Sequence, residues 1–260
     1  MEIVIALIVV GVIGLIAGIG LSLASVFFNV PVDETVEKIR EVLPGANCGA
    51  CGFSGCDGYA EALAEKTAAL GLCSAGGDTV NQAIGTILGV DIEKTEQKVA
   101  TLKCNGKECN TEKKYKYFGT ESCSAVNMLY SGDGSCAYGC LGYGDCANAC
   151  KFGAIKIEEG IAKVDKDLCT ACGMCVSACP KALIELRPKS KSFTVKCSNA
   201  DKGINVKKAC KTGCIGCMKC KKVCEFDAIT VENNLAKIDY SKCTGCGKCA
   251  ENCPVKIILN

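Results

Sequence analysis

Nine cysteines recur in this chain at a fixed separation of 74 residues, and no other feature constrains its fold as tightly. Cys123, Cys136, Cys140, Cys146, Cys150, Cys169, Cys172, Cys175 and Cys179 align with Cys197, Cys210, Cys214, Cys220, Cys224, Cys243, Cys246, Cys249 and Cys253. Each copy ends in cysteines at i, i+3 and i+6, then a fourth followed by proline: CTACGMCVSACP and CTGCGKCAENCP. This is the spacing of a cubane iron–sulfur site, in which three thiolates wrap one cluster and the fourth reaches another. The connectors AIKIEEGIAKVDKDLC and AITVENNLAKIDYSKC also match. In each, alternating apolar runs flank a turn (Glu159-Gly160, Asn233-Asn234), which predicts a β-hairpin. Each copy reads as a two-cluster ferredoxin-like module. Its apolar core is small, so the clusters act as internal cross-links.

Ligand exchange assigns most sites. In the second module Cys214, Cys217 and Cys220 pair with Cys253, and Cys243, Cys246 and Cys249 pair with Cys224. In the first, Cys169, Cys172 and Cys175 pair with Cys150. The remaining site is one ligand short, because Tyr143 stands where the second module has Cys217. Cys140, Cys146 and Cys179 then take Cys136 as the nearest replacement, with a three-iron cluster as the alternative. Of the five cysteines left over, Cys104, Cys123, Cys197 and Cys210 could build a sixth site joining the modules, and inert buried thiols are the other reading. Cys109 has no assigned role.

Upstream, NCGACGFSGC supplies Cys48, Cys51 and Cys56, and Cys73 follows after a segment expected to be helical over 57–70. These four complete a ligand set for one cubane. Short helices are expected over 33–43, with Val36, Ile39, Val42 and Leu43 on one face, and over 79–88, capped by Asp78. A charged connector follows over 91–98. Residues 3–28 carry no charge and are long enough to span a bilayer with some tilt. A cleaved signal peptide is the alternative, but the acidic Glu2, the length of the run and the lack of a clear cleavage site oppose it. Lys38 and Arg40 are the nearest basic residues and would place the body on the cytoplasmic side. Gly11, Gly14 and Gly18 form a small-residue stripe suited to packing against another helix.

The expected architecture is therefore α+β: a transmembrane anchor (1–30), a helical 4Fe-4S domain (31–100), then two ferredoxin-like modules (101–190, with a linker, and 191–260). The 25 cysteines are too many, and odd in number, for a simple disulfide scaffold, while a zinc scaffold remains the non-redox alternative. The chain has no histidine, which excludes Rieske centres, haem–histidine ligation and histidine acid–base catalysis. Residues 33–100 carry a net charge of −6 and residues 101–260 a net charge of +9. Four oxidised cubanes carry roughly −8 with their thiolates, so the lysines read as compensation and nucleic-acid binding is not expected. Lys207, Lys208, Lys211, Lys219, Lys221 and Lys222 could alternatively steer an acidic partner. No dinucleotide fingerprint or P-loop is present, and no catalytic residue is expected.

The order of apolar stretch, LPGANCGACGFSGC with Cys73, and two cluster modules resembles the B subunit of the Rnf complex over essentially the whole chain, in a long form with a second module. The ligand sets above make five [4Fe–4S] clusters, with a sixth left open, and the apolar run makes the placement single-pass in the inner membrane. The resemblance implies a membrane-bound, ion-translocating ferredoxin:NAD+ oxidoreductase, with soluble ferredoxin as donor and flavin-bearing subunits as acceptors. The alternative is a related complex that reduces a redox-sensing regulator.

Overall fold

The computed structural model describes residues 2–27, 33–92 and 96–260, with side chains in the first helix described at 5 and over 10–24. That helix, α1, runs Glu2–Phe27. Among the described residues, no helix is long and apolar enough to cross a membrane. The transmembrane anchor expected over 1–30, and the single-pass inner-membrane placement built on it, are corrected on this ground. Phe28, at the end of the expected span, and residues 93–95 of the expected connector lie outside the described residues.

Helix α2 (Glu34–Val42) begins where Asp33 accepts the Thr35 amide at 2.8 Å, the usual service of a short polar side chain at a helix start. Its Ile39 is completely buried against Tyr59, Leu63 and Ile84, as the apolar stripe predicts. Helix α3 (Cys56–Ala64) stops short of the expected 70. Lys66 turns the chain with φ 59°. The Tyr59 hydroxyl then donates to Ala69 O (3.1 Å) and accepts from the Leu72 amide (3.3 Å), which folds the strand of chain carrying Cys73 back onto the helix. Helix α4 (Gly77–Leu88) ends on Gly89 in the left-handed conformation, and Asp78 lies inside its first turn rather than ahead of it.

The first module opens earlier than expected, with β1 (Lys98–Leu102). It continues through α5 (Cys123–Asn127), α6 (Asp145–Asn148), β2 (Ile155–Glu158), β3 (Ile161–Val164), α7 (Met174–Ala178) and β4 (Ile184–Pro188). The second comprises β5 (Thr194–Val195), α8 (Gly203–Ala209), α9 (Lys219–Lys222), β6 (Ile229–Glu232), β7 (Leu235–Ile238), α10 (Lys248–Glu251) and β8 (Ile258–Leu259). Both expected hairpins form, β2 with β3 and β6 with β7, in antiparallel register. Their turn residues all have positive φ: Glu159 at 51°, Gly160 at 78°, Asn233 at 49° and Asn234 at 60°. That is the two-residue turn whose twist matches the strands.

Each module also closes its ends with a second antiparallel pair, which spacing alone does not predict. Strand β1 pairs with β4 (Leu102 opposite Ile184), and β5 pairs with β8 (Val195 opposite Ile258). The cluster loops then rest directly on the hairpin turns. A Cβ at Gly216 (φ +65°) would meet the Asn234 carbonyl oxygen at 2.9 Å, so only glycine fits there. Cysteine side chains form part of both module cores, beside Leu102, Ile155 and Leu183 in the first and Val195, Ile229 and Ile257 in the second.

Candidate iron–sulfur sites

Cys48, Cys51, Cys56 and Cys73 line one cavity between the α2–α3 loop and the segment after α3. Asn47 shapes the loop from a positive φ of 45°, and its side-chain oxygen accepts the Cys56 amide at 2.8 Å. Burial raises the Cys73 thiol, and the neighbouring Cys56, Cys48 and Cys51 add to the rise. Lys151, next after Cys150, donates to Ala46 O (3.0 Å) and Asn47 O (3.3 Å). That bridge fixes the first module against this loop.

The second module gathers its two expected sets. Cys214, Cys217, Cys220 and Cys253 line one cavity, and Cys224, Cys243, Cys246 and Cys249 line another. In the first module Cys169, Cys172 and Cys150 are the thiol neighbours of Cys175. Burial pushes Cys175 and Cys220 up to about 11, with the neighbouring thiols contributing. At neutral pH such thiols hold their protons until a metal displaces them. Backbone amides already point at sulfur: Ala100 at Cys169, Leu183 at Cys179 and Ala228 at Cys224, each at 3.4 Å. Donors of this kind tune and hold a cluster.

The fourth module site is assembled differently from the expectation. Burial raises Cys140, and its thiol neighbours are Cys123 and Cys179. Burial carries Cys146 up to about 12, with Cys140, Cys123 and Cys179 beside it. Cys123 therefore stands with Cys140, Cys146 and Cys179, while Cys136 neighbours Cys104 and Cys197. Asp145 brings it there. Its carboxylate accepts from the Cys123 amide (2.9 Å), the Ser124 amide (3.0 Å) and the hydroxyls of Ser122 (3.0 Å) and Ser124 (3.1 Å), pinning the start of α5 beside Cys146. Burial alone would raise the Asp145 carboxyl, but these donors outweigh it and leave it below the usual range. Asp145 is the residue that spacing did not single out.

Tyr143 has a separate task at the vacated motif position. Its hydroxyl donates to the buried Asp133 at 2.8 Å, and its ring meets Tyr117 edge-on. Lys113 also reaches Asp133, at 2.8 Å. Lys181 holds the neighbouring loop by donating to Ser131 O and Ala137 O, both at 2.7 Å. Cys136 in that loop lines a cavity together with Cys104, Cys140, Cys197 and Cys210. Cys109 is exposed.

A single zinc would draw its thiolates to within roughly 3.8 Å of one another at a bond length of about 2.3 Å. Among the described residues, no three histidine, cysteine, aspartate or glutamate side chains are placed to hold one metal ion. Three cysteine sets stand in fours around a cavity, and backbone amides are aimed at cysteine sulfurs in both modules, a donor set of the kind that suits a cubane.

Three family models match the chain: the FeS model for an Fe-S cluster over residues 43–74, a 4Fe-4S binding domain over 162–185 and a 4Fe-4S dicluster domain over 213–257. The chain is 44% identical to the B subunit of the Na(+)-translocating ferredoxin:NAD(+) oxidoreductase complex of Acetobacterium woodii, covering 96% of this chain and 75% of the relative. It is 40% identical to the B subunit of the ion-translocating oxidoreductase complex of Methanosarcina acetivorans, over 95% and 94% of the two chains. The B subunit of the proton-translocating ferredoxin:NAD(+) oxidoreductase complex of Clostridium ljungdahlii is also 40% identical, over 90% and 84%.

Proposed function

The chain belongs to the B-subunit family of Rnf-type ion-translocating oxidoreductase complexes, and on that premise we propose that soluble ferredoxin delivers electrons to it at the second module. It is an iron–sulfur electron-transfer subunit of such a complex and carries [4Fe–4S] clusters. When bound, those clusters supply one-electron carriers whose potentials depend on burial and hydrogen bonds to sulfur. Five ligand sets belong to this reading: Cys48, Cys51, Cys56, Cys73; Cys123, Cys140, Cys146, Cys179; Cys150, Cys169, Cys172, Cys175; Cys214, Cys217, Cys220, Cys253; and Cys224, Cys243, Cys246, Cys249. Flavin-bearing subunits of the complex are the acceptors.

One observation carries the choice of entry point. Cys217 is exposed, and Lys219, Lys221 and Lys222 on the adjoining α9 are exposed with it. Cys246, in the module's other set, is exposed as well. In the first module none of the assigned ligands is exposed. A positive rim around an accessible cluster ligand steers an acidic redox protein and lets it approach closely. Replacing Lys219, Lys221 and Lys222 together by glutamate should slow reduction by ferredoxin about tenfold or more at low salt, with the deficit shrinking as salt rises. An unchanged salt dependence would assign these lysines to compensation of cluster charge and move the docking face elsewhere.

A further inference from the structure

The strand pairs align the two modules more fully than the 74-residue repeat does. In the first module the Lys103 amide donates to Leu183 O at 2.7 Å, and in the second the Lys196 amide donates to Ile257 O at 2.9 Å. Leu102 faces Ile184 as Val195 faces Ile258. Leu183 and Ile184 are the repeat partners of Ile257 and Ile258. Cys104 and Cys197 therefore hold the same place, just beyond equivalent strands, although the repeat pairs Cys197 with Cys123. Their sulfurs are treated alike. The Cys140 amide donates to Cys104 Sγ, and the Cys214 amide donates to Cys197 Sγ, both at 3.3 Å. Cys136 and Cys210 are repeat partners as well, and each lies shortly before one of these amides. Two equivalent thiol pairs thus meet across the boundary between the modules.

We propose that Cys104, Cys136, Cys197 and Cys210 together hold a sixth [4Fe–4S] cluster at the boundary between the two modules. The proposal rests on reading the other cysteine sets as cluster sites, and none of its four ligands falls in a segment matched by the family models. All four line one cavity, whose wall also holds Cys140 of the neighbouring set and Lys196, a cation beside the anionic group the site would take. Beyond the two amides above, the Gly106 amide donates to Cys104 Sγ at 3.3 Å and the Asn199 side-chain amide to Cys136 Sγ at 3.4 Å. Donors from both modules thus converge on these sulfurs, as they do on ligands of the other sets. The boundary is closed around them by Ser198 Oγ donating to Lys103 O (3.0 Å), Thr111 Oγ1 to Ala209 O (2.8 Å) and the Lys211 amide to Asn110 O (2.9 Å). The set differs from the expected one by taking Cys136 in place of Cys123, which the fourth module site has claimed. It leaves Cys109 as the one cysteine outside all six sets.

Iron, sulfide and zinc counting on the anaerobically prepared full chain tests it, with EPR to identify which signals remain. The unaltered chain should hold roughly 24 irons, at four per cubane. Cys104→Ser and Cys210→Ala should each lower this to roughly 20, and the double variant should stay at roughly 20 because both open one site. Cys104→Ser with Cys123→Ala should reach roughly 16, since two sites are lost. An unaltered count of roughly 20 that Cys210→Ala leaves unchanged overturns the sixth site while the other five stand. If Cys136→Ala and Cys123→Ala prove to remove the same four irons, the ligand set is overturned. Stoichiometric zinc with little iron sinks the cluster reading as a whole, and this site with it. The unaltered count decides the question even where a variant fails to fold.

Discussion

Where the second module has Cys217 and Lys219, the first has Tyr143 and Asp145. In the second module the motif closes on itself: Cys217 joins Cys214, Cys220 and Cys253 around one cavity and remains exposed. In the first, Tyr143 turns to Asp133, and Asp145 draws the start of α5 inward so that Cys123 joins Cys140, Cys146 and Cys179. One missing ligand is thereby replaced from a different part of the chain. The exchange also leaves the first module more covered, with no exposed ligand, while the second shows Cys217 and Cys246 at its surface. Two modules of common descent have thus been fitted to different positions, one enclosed and one accessible.

The largest expected effect of this difference lies in how far each module depends on its clusters. Strand β1 pairs with β4 over five residues, whereas β5 and β8 pair over only two. Stepwise iron removal under anaerobic conditions should therefore unfold the second module before the first, since metal binding is folding energy for so small a core. Hydrogen exchange would show protection lost at β5–β8 ahead of β1–β4. Simultaneous loss would mean that the longer strand pair contributes no independent stability.

Next in size, Cys123→Ala should cost about four irons, and adding Tyr143→Cys to the same chain should restore them by rebuilding the regular motif. Iron counting decides this. Failure of the rescue, with the chain still folded, would mean that the loop cannot present position 143 to the site. The smallest expected effect is at the helix start. Asp145→Ala should destabilise the first module by about 1–2 kcal/mol by freeing the donors at the start of α5. Lys219→Ala, at the equivalent exposed position, should stay within about 0.5 kcal/mol. Thermal melts of the loaded protein would compare the two, and equal shifts would remove Asp145 from its positioning role.

The repeated cysteine runs suggest three of the four proposed module sets, because those thiols are local to one loop or exchanged by a fixed rule. The hairpins were legible too, since Glu159-Gly160 and Asn233-Asn234 sit where alternation breaks. Helix α2 follows its apolar stripe. Helix α3 ends early because the Tyr59 hydroxyl ties down the segment that follows, a contact no propensity encodes. The expected anchor was read from composition alone. Among the described residues, no helix is long and apolar enough to bear it out. On the proposed ligand sets Cys123 and Cys136 exchange roles, because Asp145, 22 residues beyond Cys123, draws Cys123 inward and no periodic pattern marks it.

By itself the sequence determined how many thiols there are, that they come in cluster-forming runs, and that one module is a copy of the other. Cysteine spacing dictates this, because three thiolates within one short loop can only face a shared centre. Which distant thiols share a site was decided by the tertiary structure. Cys104 becomes the counterpart of Cys197 only once β1 lies on β4 and β5 on β8. Those pairings join residues far apart in the chain, and their register, set by hydrogen bonds across the ends of each module, carries the four boundary cysteines to one cavity.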